Sequence, residues 1–385
     1  GPYQPGTPDR DALIAELEAV APAGVSIAYT AYGSQDELIA MVEAGGVDVL
    51  ITSDTSTLFA LSGHLANLKR LKPLAQRAQF MTRLGNQYGD YLIDVVRQGK
   101  KLLAGPIRTD IKSLVWYQPS AFAAGGYAVP KTFKQLAALS NAMVTDGETP
   151  WCTYIGSGAV TGWAGTDWVE DLVLGHKTGR FYDRWVSHDV LFDSFGIKQA
   201  FKRFRKMIDT PGYVYDRANI ATVSWMDNAA ALEAGDCLMH RQGWFLGNFF
   251  TAPEDVDTFF FPGTKGRKAA MGTTTFVGMT NLRPVVKQLM RAILHPSFGT
   301  EALSQIDTWI MPNTKFDRAK YANDRTKKWA NRIRVAVEGN AYRMDASDQM
   351  PEPVGFAAFF TGIVDLVNGT KTIKQIVTTI DAAWP

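Results

Sequence analysis

Cysteine is almost missing from this chain: Cys152 and Cys237 are the only two in 385 residues. Two thiols cannot form a disulfide scaffold, so the fold must rest on an apolar core. Composition leaves open whether the two pair. A bridge would close a loop of about 85 residues, worth roughly 4–5 kcal/mol in the chain-entropy model, and would imply an oxidising compartment. Long hydrophobic runs are also missing. No stretch approaches 18 consecutive apolar residues, so no transmembrane helix is expected, and the opening GPYQPGTPD is polar and turn-like, without the pattern of an export signal. Histidine is scarce, and the five present form no HxH or HExxH spacing; CxxC is absent too. A metal site is therefore not expected. No GxxxxGK[ST] loop occurs, and Gly156, Gly158 and Gly162 miss the dinucleotide fingerprint by one residue, which makes them turn residues. No GxSxG elbow is present to carry a nucleophile. Charge of one sign is not in excess: 40 basic against 38 acidic residues leave +2. The richest basic run, Lys198 to Lys206, interleaves apolar residues at helical spacing and reads as the wet face of an amphipathic helix. This balance argues against nucleic acid as the main partner.

What remains is an ordinary globular composition, 46% hydrophobic and 20% charged, at a length that suits two domains. Thr7 and Pro8 open a helix with Leu13, Leu17 and Val20 on one stripe. Val25 to Tyr29 reads as a strand. Ser34 and Glu37 form a capping box for a helix that ends at Gly45-Gly46. Val47 to Ile51 is the next strand, and Asp54 is placed to cap the helix after it. This alternation predicts a parallel sheet with crossovers. Leu114 to Tyr117 reads as a buried strand. Thr132 and Gln135 form a second capping box, with Phe133, Leu136 and Met143 facing inward. The middle third reads as mainly helical. Phe259 to Gly266 is a strand running into a turn, and Gly272 to Thr280 alternates like a strand. Phe356 to Trp384 gives two amphipathic helices joined at Asn368-Gly369.

Carboxylates gather at Asp167, Glu170 and Asp171 and again at Asp345 and Asp348. A glycosidase needs two carboxylates about 5–9 Å apart, but acidic residues also collect at helix starts for electrostatic reasons alone. Aromatic richness beside polar turns is the more unusual feature. Trp163, Trp168, Trp225, Trp244 with Phe245, and Phe359-Phe360 each stand near Asp, Asn, Arg or Gln. A sugar offers apolar C–H faces and a rim of hydroxyls, which aromatic rings and charged or amide groups match. Trp116, Trp151 and Trp185 sit in apolar context and read as core. Trp163 and Trp244, each flanked by glycine, read equally as core or as a binding wall, and in TGWAGTDWVED a helix is expected to start at Asp167 with Trp168 packed beneath it.

Several longer segments carry a family resemblance. They are VDVLITSDTSTLFALSGHL (Val47 to Leu65), GPIRTDIKSLVWYQP (Gly105 to Pro119), VPKTFKQL (Val129 to Leu136) and AALEAGDCLMHRQGWF (Ala230 to Phe245). Together with TPWC at Thr149, TGWxxTDWVED at Thr161 and SDxMPxxVG at Ser347, their order resembles the carbohydrate-specific solute-binding proteins of ABC importers, in particular the maltose and α-glucoside branch. The resemblance implies an α/β protein with the two-lobed periplasmic-binding-protein fold, type II-like, each lobe a sheet flanked by helices and the ligand in the interlobe cleft. It implies residues 1–110 plus 263–310 in the first lobe and 111–262 plus 311–385 in the second, with crossings near 106–116, 260–266 and 308–316. It assigns sugar contacts to Asp54, Asp110, Trp163, Trp244 and Asp348, places Tyr3 in the first ligand loop, and makes Arg108 and Arg241 candidate donors. Phe360 stands where many members have Trp, a smaller platform. It pairs Cys152 with Cys237. The function implied is capture of an α-glucoside or related glucosyl compound by hinge closure and delivery to the permease subunits, by an exported monomer that is periplasmic or lipid-anchored, without cofactor, metal or catalysis. A receptor for a charged glucosyl osmolyte, an amino sugar or a polyol is the alternative, and a glycoside hydrolase using Asp345 or Asp348 is a further one.

Overall fold

The computed structural model describes residues 6–264 and 270–385. The chain divides into two compact units. The first takes the chain up to Asp110 and adds Thr273–Tyr342; the second consists of Ile111–Gly272 and Arg343–Pro385. The passage after Asp110 lies inside the expected first crossing. The other two come later than 260–266 and 308–316, and positions 265 and 266 lie outside the described residues. Backbone hydrogen bonds account for the shift. Lys112 N–H donates to Met271 O at 2.7 Å, which keeps the stretch up to Gly272 with the second unit. Thr314 N–H donates to Gln87 O at 2.7 Å, and Asn313 Nδ2 to the Tyr88 hydroxyl at 3.2 Å, which holds the chain beyond 311 in the first.

In the first unit the helix Pro8–Val20 starts where expected: Thr7 Oγ1 accepts from Arg10 N–H at 3.3 Å and Pro8 fills the first position. Ser34 caps Gln35–Glu43 through Glu37 N–H, but the Glu37 carboxylate turns to Gly33 N–H at 2.5 Å, so only half of the capping box forms. Asp54 caps Thr55–Ala60. The sheet departs from expectation. Its order is Val49–Thr52, Thr274–Met279, Ala104–Thr109, and both pairings are antiparallel. A strand returning some 220 residues later is inserted between the two earlier ones, which local alternation cannot reveal. Among the described residues 25–29 have no ladder partner, so a strand-like composition yields no strand there.

The second unit holds a four-stranded sheet in the order Trp151–Cys152, Met239–Arg241, Leu114–Tyr117, Asp257–Phe260. Its first pair is parallel and the other two are antiparallel. Helices Phe133–Thr145, Trp163–His176, Phe195–Asp209, Phe360–Asn368 and Ile373–Ala382 pack into one core with Trp168, Phe201, Phe204 and Ile363. The Thr132–Gln135 box is complete. The last two helices meet at Gly369 with φ of 68°, as the sequence suggests, and Pro353–Phe359 before them is a π-helical turn. Trp116, Trp151 and Trp185 are core. Cys152 and Cys237 are bridged, with Cα atoms 5.4 Å apart, which ties the edge strand to the segment before its neighbour.

Candidate functional site

The chemistry gathers around the helix Trp163–His176, which begins four residues earlier than expected. Gly162 precedes it with φ of 116°, and a Cβ there would lie 2.4 Å from the Phe360 carbonyl oxygen, so only glycine serves. Every residue from Ala164 to Gly175 is buried. Asp167, Glu170 and Asp171 thus cannot be solvated acids at a helix start; a buried carboxylate must find a partner or a proton. Helical spacing puts Trp163, Asp167 and Asp171 on one face, and the segment leading into Leu114–Tyr117 and the strand Met239–Arg241 bring two cations to it.

Arg241 donates through Nε to Asp171 at 2.7 Å and through Nη1 to Asp167 at 2.8 Å, and its Nη2 lies 2.6 Å from Asp171 in the same ion pair. Lys112 Nζ donates to Asp167 at 3.3 Å and to Asp345. Ser113 hydroxyl donates to Asp171. Asp345 accepts further from Ser347 N–H at 3.0 Å and its hydroxyl at 2.7 Å. Glu170 accepts from the Tyr182 hydroxyl at 2.9 Å and Ala346 N–H at 2.6 Å. Four carboxyl groups therefore face two cations, and they do not ionise alike. Burial pushes the Asp167 carboxyl up to about 7 against the pull of Lys112 and Arg241. Burial and then repulsion from Asp345 and Asp167 hold Glu170 well above the carboxylate range. Burial raises Asp171, with Arg241 opposing. Asp345 goes the other way: burial acts to raise it, but Lys112 and its hydrogen bonds prevail and hold it low. Burial works to strip the proton from Lys112, and Asp167 and Asp345 outweigh it. Oxygens of Asp167, Glu170 and Asp345 lie within 4.8 Å of one another, a spacing that could hold a metal ion, but the Lys112 ammonium already supplies positive charge to two of them.

Above this network stands an aromatic corner. Lys112 Nζ lies 5.4 Å from the centre of the half-buried Trp163 ring. Trp225 meets Trp163 edge-on at 5.2 Å, Phe245 lies 6.0 Å from Trp163 and 5.5 Å from Trp225, and Phe249 extends the row at 5.2 Å from Trp225. None of these three was assigned a ligand contact from sequence, nor was Lys112. The available signal was a lone Lys two residues before a buried strand, in IKSLVWY.

The expected site residues fall on both units. In the first, both Asp54 oxygens are engaged by the cap, at 2.8 Å from Ser56 N–H and 2.5 Å from the Thr57 hydroxyl. Arg108 is buried, 2.5 Å from Asp9 and over the Trp309 ring at 5.0 Å. Asp110 is buried, its backbone held by Thr273 O at 2.8 Å and the Tyr342 hydroxyl at 3.1 Å. In the second, Trp163 heads the aromatic corner and half-buried Asp348 adds to the negative field on Lys112. Arg241 is sealed in the network. Trp244 is 2% exposed and stacked on Trp116 at 5.4 Å and 18°, so its neighbour Phe245 takes the place in the corner. Phe360 is buried against Phe356 at 5.4 Å. Tyr3 lies outside the described residues.

Two α/β units assembled from interrupted stretches of chain define the fold of the periplasmic solute receptors, and solved structures agree. The bacterial solute receptor AcbH, described with an exclusive preference for β-D-galactopyranose, superposes with a TM-score of 0.78 at 16% identity, over 99% of this chain and 96% of its own. Maltose-bound MalE3 of T. maritima gives 0.68 at 16%, over 97% and 95%. In sequence, residues 23–283 match the family of bacterial extracellular solute-binding proteins. The osmoprotective compounds-binding protein GgtB of Synechocystis is 32% identical over 85% of this chain and 79% of its own. The α-glucosides-binding periplasmic protein AglE of Rhizobium meliloti is 30% identical over 79% and 71%. The chain belongs to the bacterial extracellular solute-binding protein family. The family is one of binding proteins.

Proposed function

We propose that the protein captures a neutral α-glucoside or a related small glucosyl compound, releases it unchanged to its permease, and works as an exported monomer without catalysing a reaction. The observation that carries this is the Trp163–Trp225–Phe245 corner above Lys112. Half-exposed rings over a fixed charge suit the C–H face of a pyranose, while polar groups such as Asp348 suit its hydroxyls. Asp54, Arg108 and Asp110 are the first unit's contribution in this reading, and capture closes the two units on the sugar, as the family resemblance implies. A charged osmolyte would call for a cation without a carboxylate of its own. Arg108 and Arg241 are each held by aspartate, which favours a neutral ligand. A hydrolase acting through Asp345 is disfavoured because that carboxylate is buried against Lys112 and Ser347.

The test is a thermal-shift and calorimetric panel of α-glucosides, other disaccharides, amino sugars, polyols and charged glucosyl osmolytes. A ligand at 100 times its Kd stabilises by about 2.7 kcal/mol. Trp163→Ala should weaken the best ligand at least tenfold, about 1.4 kcal/mol, with the unfolding transition retained. Unchanged affinity, or turnover of the ligand, overturns the reading.

A further inference from the structure

The first unit carries a cavity of about 340 Å³ whose wall contains Arg70, Lys72, Arg77, Lys287 and Arg291 and no carboxylate. Among the described residues none of the five enters a salt bridge. Lys287 and Arg291 are one turn apart on Pro284–Ile293, Arg70 and Lys72 come from the 3₁₀ turn Leu68–Leu71 and the residue after it, and Arg77 opens Arg77–Tyr88. Two guanidinium groups are anchored by main chain: Arg291 Nη2 donates to Leu71 O at 2.9 Å and Arg77 Nε to Lys72 O at 3.3 Å. A chain with a net charge of only +2 has thus gathered five cations around one hollow, against their mutual repulsion. Beside it Leu74, adjacent in sequence to a wall residue, Pro73, is 76% exposed, the most exposed large apolar side chain among the described residues.

We propose that this face of the first unit docks on an anionic phospholipid surface, with the cavity taking the phosphate of a headgroup and Leu74 entering the interfacial layer. Clustered basic groups answer the phosphate charge, and a lipid surface, unlike a free anion, also answers an exposed leucine beside them. A component of an importer works at a membrane surface, so the docking would hold the receptor near its permease. The inference is independent of which sugar is bound.

The experiment is co-sedimentation of the full chain with vesicles of phosphatidylcholine alone and with phosphatidylglycerol admixed, at low and high salt. Binding should be at least tenfold stronger to the anionic vesicles and be lost at high salt, since each basic group near such a surface is worth about fivefold. Arg70→Glu with Lys287→Glu, whose side chains make no described hydrogen bond, should abolish it while leaving melting temperature and sugar affinity unchanged. Leu74→Ser should weaken it without altering its salt dependence. Equal binding to both vesicle types, or retention by the double variant, overturns the proposal. So does stabilisation by inorganic phosphate without vesicle binding, which would mark a free-anion site, or charge-dependent capture by the permease alone, which would mark a protein interface.

Discussion

Replacing Lys112 with methionine tests the buried network most directly. Methionine keeps much of the side-chain volume and removes the charge. The ammonium lies 3.3 Å from Asp167 and in contact with Asp345, with both carboxylates 1% exposed. At an effective dielectric near 20 each contact is worth about 4–5 kcal/mol before desolvation. Most of that is offset by the cost of burying the ions, so the pair adds little over an apolar replacement of both partners, whereas removing one partner typically costs about 3–5 kcal/mol. Asp167 already holds its proton near neutrality, so Asp345 is the charge left exposed to the loss. Urea unfolding at pH 7, followed by circular dichroism, should show Lys112→Met destabilised by about 3–5 kcal/mol. Lys112→Met with Asp345→Asn should recover at least half of it. Sugar affinity should also fall in the single variant, because the Trp163 ring loses the cation 5.4 Å from its centre. A single variant within 1 kcal/mol of the parent, or a double variant no better than the single, would refute this assignment of charge.

Asp167 makes stability pH-dependent with a sign opposite to that of an ordinary surface aspartate. Its folded pKa of about 7 lies above the unfolded value, so the folded state binds more protons between about 4 and 7, and stability should fall as pH rises through that window; Asp167→Asn should flatten the slope measured by melting temperature from pH 5 to 8. Asp345, held low, contributes stability that is lost only as pH falls through the acidic range, so the two effects separate on the pH axis. Replacing Cys152 and Cys237 with serine should cost roughly 4 kcal/mol for a loop of 85 residues, and a native protein with two reactive thiols would contradict the bridge. Phe245→Ala should weaken sugar binding with little loss of stability, whereas Trp244→Ala, which removes a buried ring stacked on Trp116, should destabilise by about 3–5 kcal/mol; the reverse pattern would return the stacking role to Trp244.

Local patterns reached the elements whose cause is local. Thr7-Pro8, Thr132 with Gln135, and Gly369 each act within a few residues, and each stands where sequence placed it. What depended on partners far along the chain was not legible. The strand Thr274–Met279 converts an expected parallel sheet into an antiparallel one because it comes back from the other unit, and no periodicity in the first 65 residues announces it. The same limit explains the acids of TDWVED. Beside a glycine they look like helix-start residues favoured by the dipole, and only the arrival of Lys112 from 55 residues upstream and Arg241 from 70 residues downstream makes them members of an ion network. The Gly-Trp pair at 243–244 shows the same limit from the other side. A motif names the tryptophan, but the structure buries that ring. A 3₁₀ turn opening at Trp244 sends that ring inward to Trp116 and leaves Phe245 beside Trp163. Family likeness names a segment, and the direction of each side chain, which decides whether it is free to touch a ligand or is spent on a core, is set by packing that a motif does not contain.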